Sequence, residues 1–173
     1  MLTFSNKDFY HLVGFQHLKD IALPRNRNIT IEKVLNGKIT DVILSQSKYY
    51  DNRLNDEKNI KERICEMQYL EDYLDTNNII KIFSTKEIPF LYSDIKAEYI
   101  IESSILKRNK TVYIFLKERK EQADSYCIVS FFVKKNLTYG GTKLYWMLKR
   151  KIVQGRIKNL YKHPNYVEKN DNN

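Results

Sequence analysis

Two periodicities divide the chain. Residues 4–75 carry apolar positions at helical spacing, whereas residues 79–133 hold short runs rich in Ile, Val, Tyr and Phe. The stretch from Phe4 to Ile21 predicts one helix, ending before Pro24. Ser5 followed by Asp8 reads as a capping-box-like start, with the acid where the helix dipole favours it. Thr30 and Thr40 are the predicted N-caps of two short helices separated by Asn36-Gly37. A longer helix is predicted across 56–75. Ile60, Ile64, Met67, Leu70 and Leu74 make its inward stripe, and Glu57, Lys61, Glu62 and Glu66 its outer face.

Four strands follow, Ile79–Phe83, Ile95–Glu102, Thr111–Glu118 and Ser125–Val133, joined by polar links short enough for antiparallel neighbours. Gly140-Gly141 breaks the next segment, and 142–152 reads as either a closing helix or another strand. Helices first and a meander later predict an α+β fold, with N-terminal helices packed on a mainly antiparallel sheet of about four strands. One domain is expected over 1–163, with a frayed tail at 164–173.

The first predicted helix raises a specific question. It contains His11 and His17 either side of Gly14. On a continuous helix the two imidazoles would lie about 60° to each side of the glycine. A glycine inside a helix costs roughly 0.5–1 kcal/mol against alanine. Something must offset that cost, either another backbone packing close or a ligand approaching between the imidazoles.

Charge adds a second feature. The net charge is +9, but residues 1–133 contribute only +1 of it. The remaining +8 lies in residues 134–173, where ten Lys/Arg face only Glu168 and Asp171. Tyr139, Tyr145, Trp146 and Tyr161 are interleaved with these cations. Such a block is the electrostatic footprint of a polyanion binder, and the aromatics suit base stacking. A solvated basic tail is the plainer alternative. Cys65 and Cys127 read as buried reduced thiols, in a helix and a strand. No signal sequence and no long apolar run directs the chain to a membrane, so a cytoplasmic protein is expected.

The pattern Phe9-x-His11-Leu12-x-Gly14, with Gln16, Leu18, Asp20 and Ile21 after it, resembles the start of the phage Barnase–EndoU–Colicin–RelE-like nucleases, specifically the fourth such family. The likeness continues at 39–45, around Glu62-Arg63-Ile64, and in the strands at 112–116 and 128–132, so it spans most of residues 4–148. It implies a small ribonuclease-like domain of the type found in bacterial toxins, phages and mobile elements.

The residues themselves narrow the chemistry. His11 and His17, about 9 Å apart along a helix and pointing apart, lack the i,i+4 geometry of a helical metal pair. His163 and the cysteines add no ligand spacing, so no metal or other cofactor is expected. There is no nucleophile elbow and no phosphate-binding loop. Metal-free RNA cleavage remains. It needs a base for the ribose 2′-OH, an acid for the leaving 5′-oxygen, and cations at the phosphate. Histidine titrates in the right range.

The resemblance implies His11 as the leading catalytic residue, with His17 in support. It also implies Ser130 as the strand hydroxyl, and Lys117 and Arg63 as weaker cationic candidates. Each has a structural alternative: a hydrogen-bonded core histidine, a buried serine, a sheet-surface lysine, a solvated helix arginine. Lys143, Lys149, Arg150, Lys151, Tyr145 and Trp146 are the expected substrate-binding set. RNA, transfer RNA included, is the expected partner, with a cognate antitoxin or immunity protein as a second. A non-catalytic RNA- or partner-binding domain of the same shape is the alternative function.

Overall fold

Alternating Ile, Val and aromatic residues on short-linked strands produce a meander. In the computed structural model, which describes residues 1–52, 58–84, 95–105, 108–135 and 138–168, the strands are β1 (Ile79–Ile82), β2 (Tyr99–Ile105), β3 (Lys110–Glu118) and β4 (Tyr126–Val133). A short β5 (Lys143–Leu144) adds to β1, giving the antiparallel order β4-β3-β2-β1-β5. All four predicted strands are present. The fifth comes from the segment left open between helix and strand.

Beyond it, β6 (Leu148–Val153) and β7 (Arg156–Lys162) form a separate two-stranded hairpin. Its turn residues Gln154 and Gly155 both have positive φ, 49° and 76°. That is the backbone of a type I′ turn, whose twist matches the strands it joins.

The helices are α1 (Asn6–Leu12), α2 (Arg27–Leu35), α3 (Asp41–Leu44), α4 (Ile60–Met67) and α5 (Leu70–Asp75), with a 3₁₀ turn at Phe15–His17. Here the structure departs from expectation. The first helix stops at Leu12, because Gly14 takes the left-handed conformation at φ 81°. The glycine is a helix stop and not a mid-helix residue. Asn26, and not Thr30, caps α2, its side chain accepting the Asn28 N–H at 3.0 Å. Thr30 is buried inside that helix and donates its hydroxyl to Pro24 O at 2.9 Å. The predicted helix over 56–75 is two helices broken at Gln68 and Tyr69; its predicted start falls outside the described residues. Cys65 is exposed, contrary to expectation, while Cys127 is half-buried; both are free thiols.

One sheet face carries Ile101, Val112, Ile114, Leu116, Ile128, Phe131 and Val133, which pack under Leu12, Leu70 and Tyr73 from the helices. The opposite face carries Ile100, Tyr113, Phe115 and Phe132, closed by Phe83 and Tyr139. A third cluster lies among the helices, with Val13, Phe15, Leu18 and Ile60 at its centre.

The buried face of α4 and α5 keeps Ile60 and Leu70 of the predicted stripe, with Ile64, Met67 and Leu74 half-buried against the core, but it is wider than predicted. Ile60, Arg63, Glu66, Leu70 and Tyr73 point inward, so two charges expected outside are buried. Glu66 is tolerated there because its lone pairs are filled. Arg108 donates two hydrogen bonds at 2.8 and 2.7 Å, Lys110 one at 2.9 Å and the Tyr73 hydroxyl one at 2.8 Å. Burial pushes the carboxyl up, but these donors outweigh it and hold it at about 2. Removing one partner of a buried pair typically costs about 3–5 kcal/mol. Arg108 and Lys110 keep 28% and 34% of their side-chain exposure, which moves the expectation to the lower end. Glu66→Ala should therefore lose about 3 kcal/mol in a denaturant titration. A loss under about 1 kcal/mol would show that the network does not pin α4 to the sheet.

Candidate active site

The left-handed turn at Gly14 separates the two histidines into different elements. His11 lies in the last turn of α1, and Phe15, Gln16 and His17 follow as the 3₁₀ turn. A Cβ on Gly14 would sit 2.6 Å from Ile60 Cδ1 and 3.3 Å from Arg63 Cδ. What approaches the glycine is thus the α4 side-chain layer. α1 and α4 both pack against β4, the edge strand of the sheet.

Arg63 is buried beneath this turn, not solvated. Its Nη1 donates to Leu12 O at 3.4 Å, and its guanidinium lies 5.5 Å from the centre of the Phe132 ring. Gln16 Nε2 stands 3.3 Å from His17 Nε2. The entry to α1 is equally tied down. The Asp8 carboxylate accepts the Ser5 N–H at 2.8 Å, closing the predicted box, and pairs with Arg119 at 2.6 Å.

Both histidines are half-buried and favour the neutral form. Burial pushes His11 below its ordinary value, helped by the Arg27 charge and opposed by Asp8 and Gln16. Burial pushes His17 further, to about 4, with Arg63, Lys58, Lys19 and His11 adding to the fall. A base whose folded value lies below its unfolded one binds fewer protons when folded. The stability it contributes is complete above about pH 6.5 and is lost as the pH falls toward 4. Glu66 has the same sign at lower pH, between its ordinary value of 4.5 and about 2. The melting temperature should therefore fall steadily on acidification from pH 7 to pH 4. The fall should be shallower in a His17→Asn variant, and equal slopes in both proteins would contradict the assignment.

The structure brings His11, His17 and Arg63 together. Ser130 and Lys117 lie on the sheet face opposite the one Leu12 covers, the same face as the Phe132 ring that the Arg63 guanidinium approaches. Ser130 stands beside Phe115 and is buried, and Lys117 pairs with Cys127 two residues along β3. A bulge in β4 moves Ile128 to the other face, so Ser130 shares its side with Phe132 but not with Ile128.

The expected substrate-binding residues cluster on and before the hairpin, and several are engaged in holding it. Trp146 Nε1 donates to Asn78 Oδ1 at 2.9 Å, and Lys149 Nζ to Thr76 O at 2.8 Å. Burial lowers Lys149 to about 8, with Asp75 opposing. Lys151 pairs with Asp75 at 2.7 Å and with Glu71, and Arg150 pairs with Glu168. Lys143 and Tyr145 remain exposed.

Two functional candidates escaped the reading of the sequence. Gln16 touches both histidines, although its only signal was its place in the motif. Arg27, whose charge acts on His11, is the exposed first residue of α2. Among the described residues, no helix is long and apolar enough to cross a membrane, and no three His, Cys, Asp or Glu side chains gather as metal ligands.

A family profile described as phage-Barnase-EndoU-ColicinE5/D-RelE like nuclease4 matches residues 1–171 of the chain. No curated protein and no solved structure matches it.

Proposed function

Because the chain belongs to this fourth family of phage Barnase–EndoU–Colicin–RelE-like nucleases, we propose that it is a metal-independent endoribonuclease of bacterial toxin or phage type. The observation that carries the reading is the half-buried His11 in the last turn of α1, where burial favours the neutral form a general base needs. His11 takes the proton of a ribose 2′-OH as that oxygen attacks the adjacent phosphorus. The bond from phosphorus to the 5′-oxygen breaks, and a neighbouring donor or solvent protonates the leaving oxygen. The products are a 2′,3′-cyclic phosphate and a 5′-hydroxyl. Arg27, whose charge acts on His11, offsets charge on the phosphate. Lys117 and Ser130, on the other sheet face, serve a bound strand that passes around the β4 edge.

The hairpin supplies longer-range attraction. Residues 143–162 contain seven Lys/Arg and no Asp or Glu. The test is incubation of the full chain with total and transfer RNA in excess EDTA. Cleavage leaving cyclic phosphate ends supports the reading, and intact RNA under all conditions refutes it.

One observation favours a second reading, a non-catalytic binding domain of the same fold. Ile152 and Ile157 are paired across the hairpin, and each is about 60% exposed among those cations. That surface fits an acidic, partly apolar protein such as a cognate antitoxin or immunity protein. Tight RNA or partner binding without cleavage would favour it.

A further inference from the structure

Gln16 joins the two histidines. Its amide nitrogen lies 3.3 Å from His17 Nε2 and, in this orientation of the amide, donates to that ring nitrogen. The His17 ring proton is then on Nδ1. With the nitrogen committed to His17, the amide oxygen is fixed as well. Oε1 is buried and accepts no hydrogen bond. A buried carbonyl with no protein donor is unfavourable, and a neighbouring ring N–H that reached it would relieve that cost. The Gln16 amide also faces His11, where it favours the protonated ring.

We propose that Gln16 is a positioning residue that gives the two histidines different roles. Its N–H holds His17 as a neutral Nδ1–H ring, and its Oε1 is the acceptor for a protonated His11.

The surrounding charges agree with this division. His17 faces Arg63, Lys58, Lys19 and His11, all of which disfavour a proton there. His11 faces Arg27, which disfavours a proton, and Asp8 and Gln16, which favour one. A proton taken from a substrate therefore settles on His11. There the N–H it creates fills the empty acceptor. His17 stays an uncharged spacer whose own hydrogen bond keeps the amide from flipping. The inference rests on His11 as the base of the proposed reaction, but the device can be measured without any reaction.

The test is a pH titration of the histidine side chains by ¹H–¹⁵N spectroscopy, in the full chain and two variants. Gln16→Met keeps the side-chain length and removes both polar atoms. His11 should then titrate lower and His17 higher, each by about half a unit to one unit, the size of one net hydrogen bond. Gln16→Glu only accepts, so it should raise both. The ¹⁵N shifts should report the Nδ1–H tautomer for His17 in the native chain. A glutamine that merely fills space would let both rings rise together in Gln16→Met, as burial loosens. That outcome, or no movement of either ring in a folded variant, overturns the proposal. If Gln16→Met does not fold, Gln16→Glu decides: both histidines rising supports the device, and either one unmoved overturns it. RNA cleavage by the same samples is read separately. A native chain that leaves RNA intact refutes the nuclease reading, while the titration still decides the role of Gln16.

Discussion

His11→Ala should lower the cleavage rate by about a hundred- to ten-thousand-fold, the usual worth of a positioned general base. The loss should appear in kcat more than in KM, because the cations that hold the RNA backbone are untouched. His17→Ala should cost much less, since burial and the Arg63 charge favour the neutral ring and the proposed reaction gives it no proton. The pH profile adds a second check. A base whose titration lies below 6.5 is already free at neutral pH, so the rate should rise on the acid side and level off near pH 6.5. A histidine acting only as an acid would give a rate that falls as the pH rises. Equal losses in the two alanine variants would remove the reason for singling out His11.

Gly14→Ala carries the largest expected loss of stability. At φ 81° an L side chain costs about 1–2 kcal/mol. The new methyl would also sit 2.6 Å from Ile60 Cδ1, in a side chain that is fully buried, and overpacking of this kind costs about 1–3 kcal/mol. Together the loss should be about 2–5 kcal/mol, or roughly 4–20 °C in melting temperature for a chain of this size. The two parts can be separated. Ile60→Val removes the Cδ1 methyl that the new Cβ would meet, so in the Gly14→Ala background it should recover the packing part and leave the backbone part. Simple additivity of the two single losses would show that the contact is not what makes the glycine necessary.

The sheet was legible because its alternation is local. Every residue of Thr111–Glu118 and most of Tyr126–Val133 can be placed from neighbours two positions away, and the short links force antiparallel pairing. The N-terminal turn was not legible in the same way. His11 and His17 were visible as residues, but helical periodicity continues through Gly14, and periodicity says nothing about φ. Only the packing of Ile60 and Arg63 against that glycine reveals the stop. Arg63 and Glu66 were read as outward because charge predicts exposure, whereas the partners that allow Glu66 inside stand 42 and 44 residues away. The hairpin was missed because strong cations alternate with its Ile, Val and Leu, and because the Gln154-Gly155 turn lacks an Asn or Asp to announce it.

The strand order sets a length scale for the substrate. α1 and α4 rest on β4, while the hairpin is anchored at Thr76 and Asn78 beside β1 and follows β5. Four inter-strand steps separate β4 from β5, about 19 Å at roughly 4.8 Å each. A stacked strand rising about 3.4 Å per nucleotide needs some six nucleotides to cross that gap. Oligonucleotides of two or three residues should be cut equally well with or without the hairpin cations, whereas longer ones should lose affinity, and salt sensitivity with it, once those cations are removed.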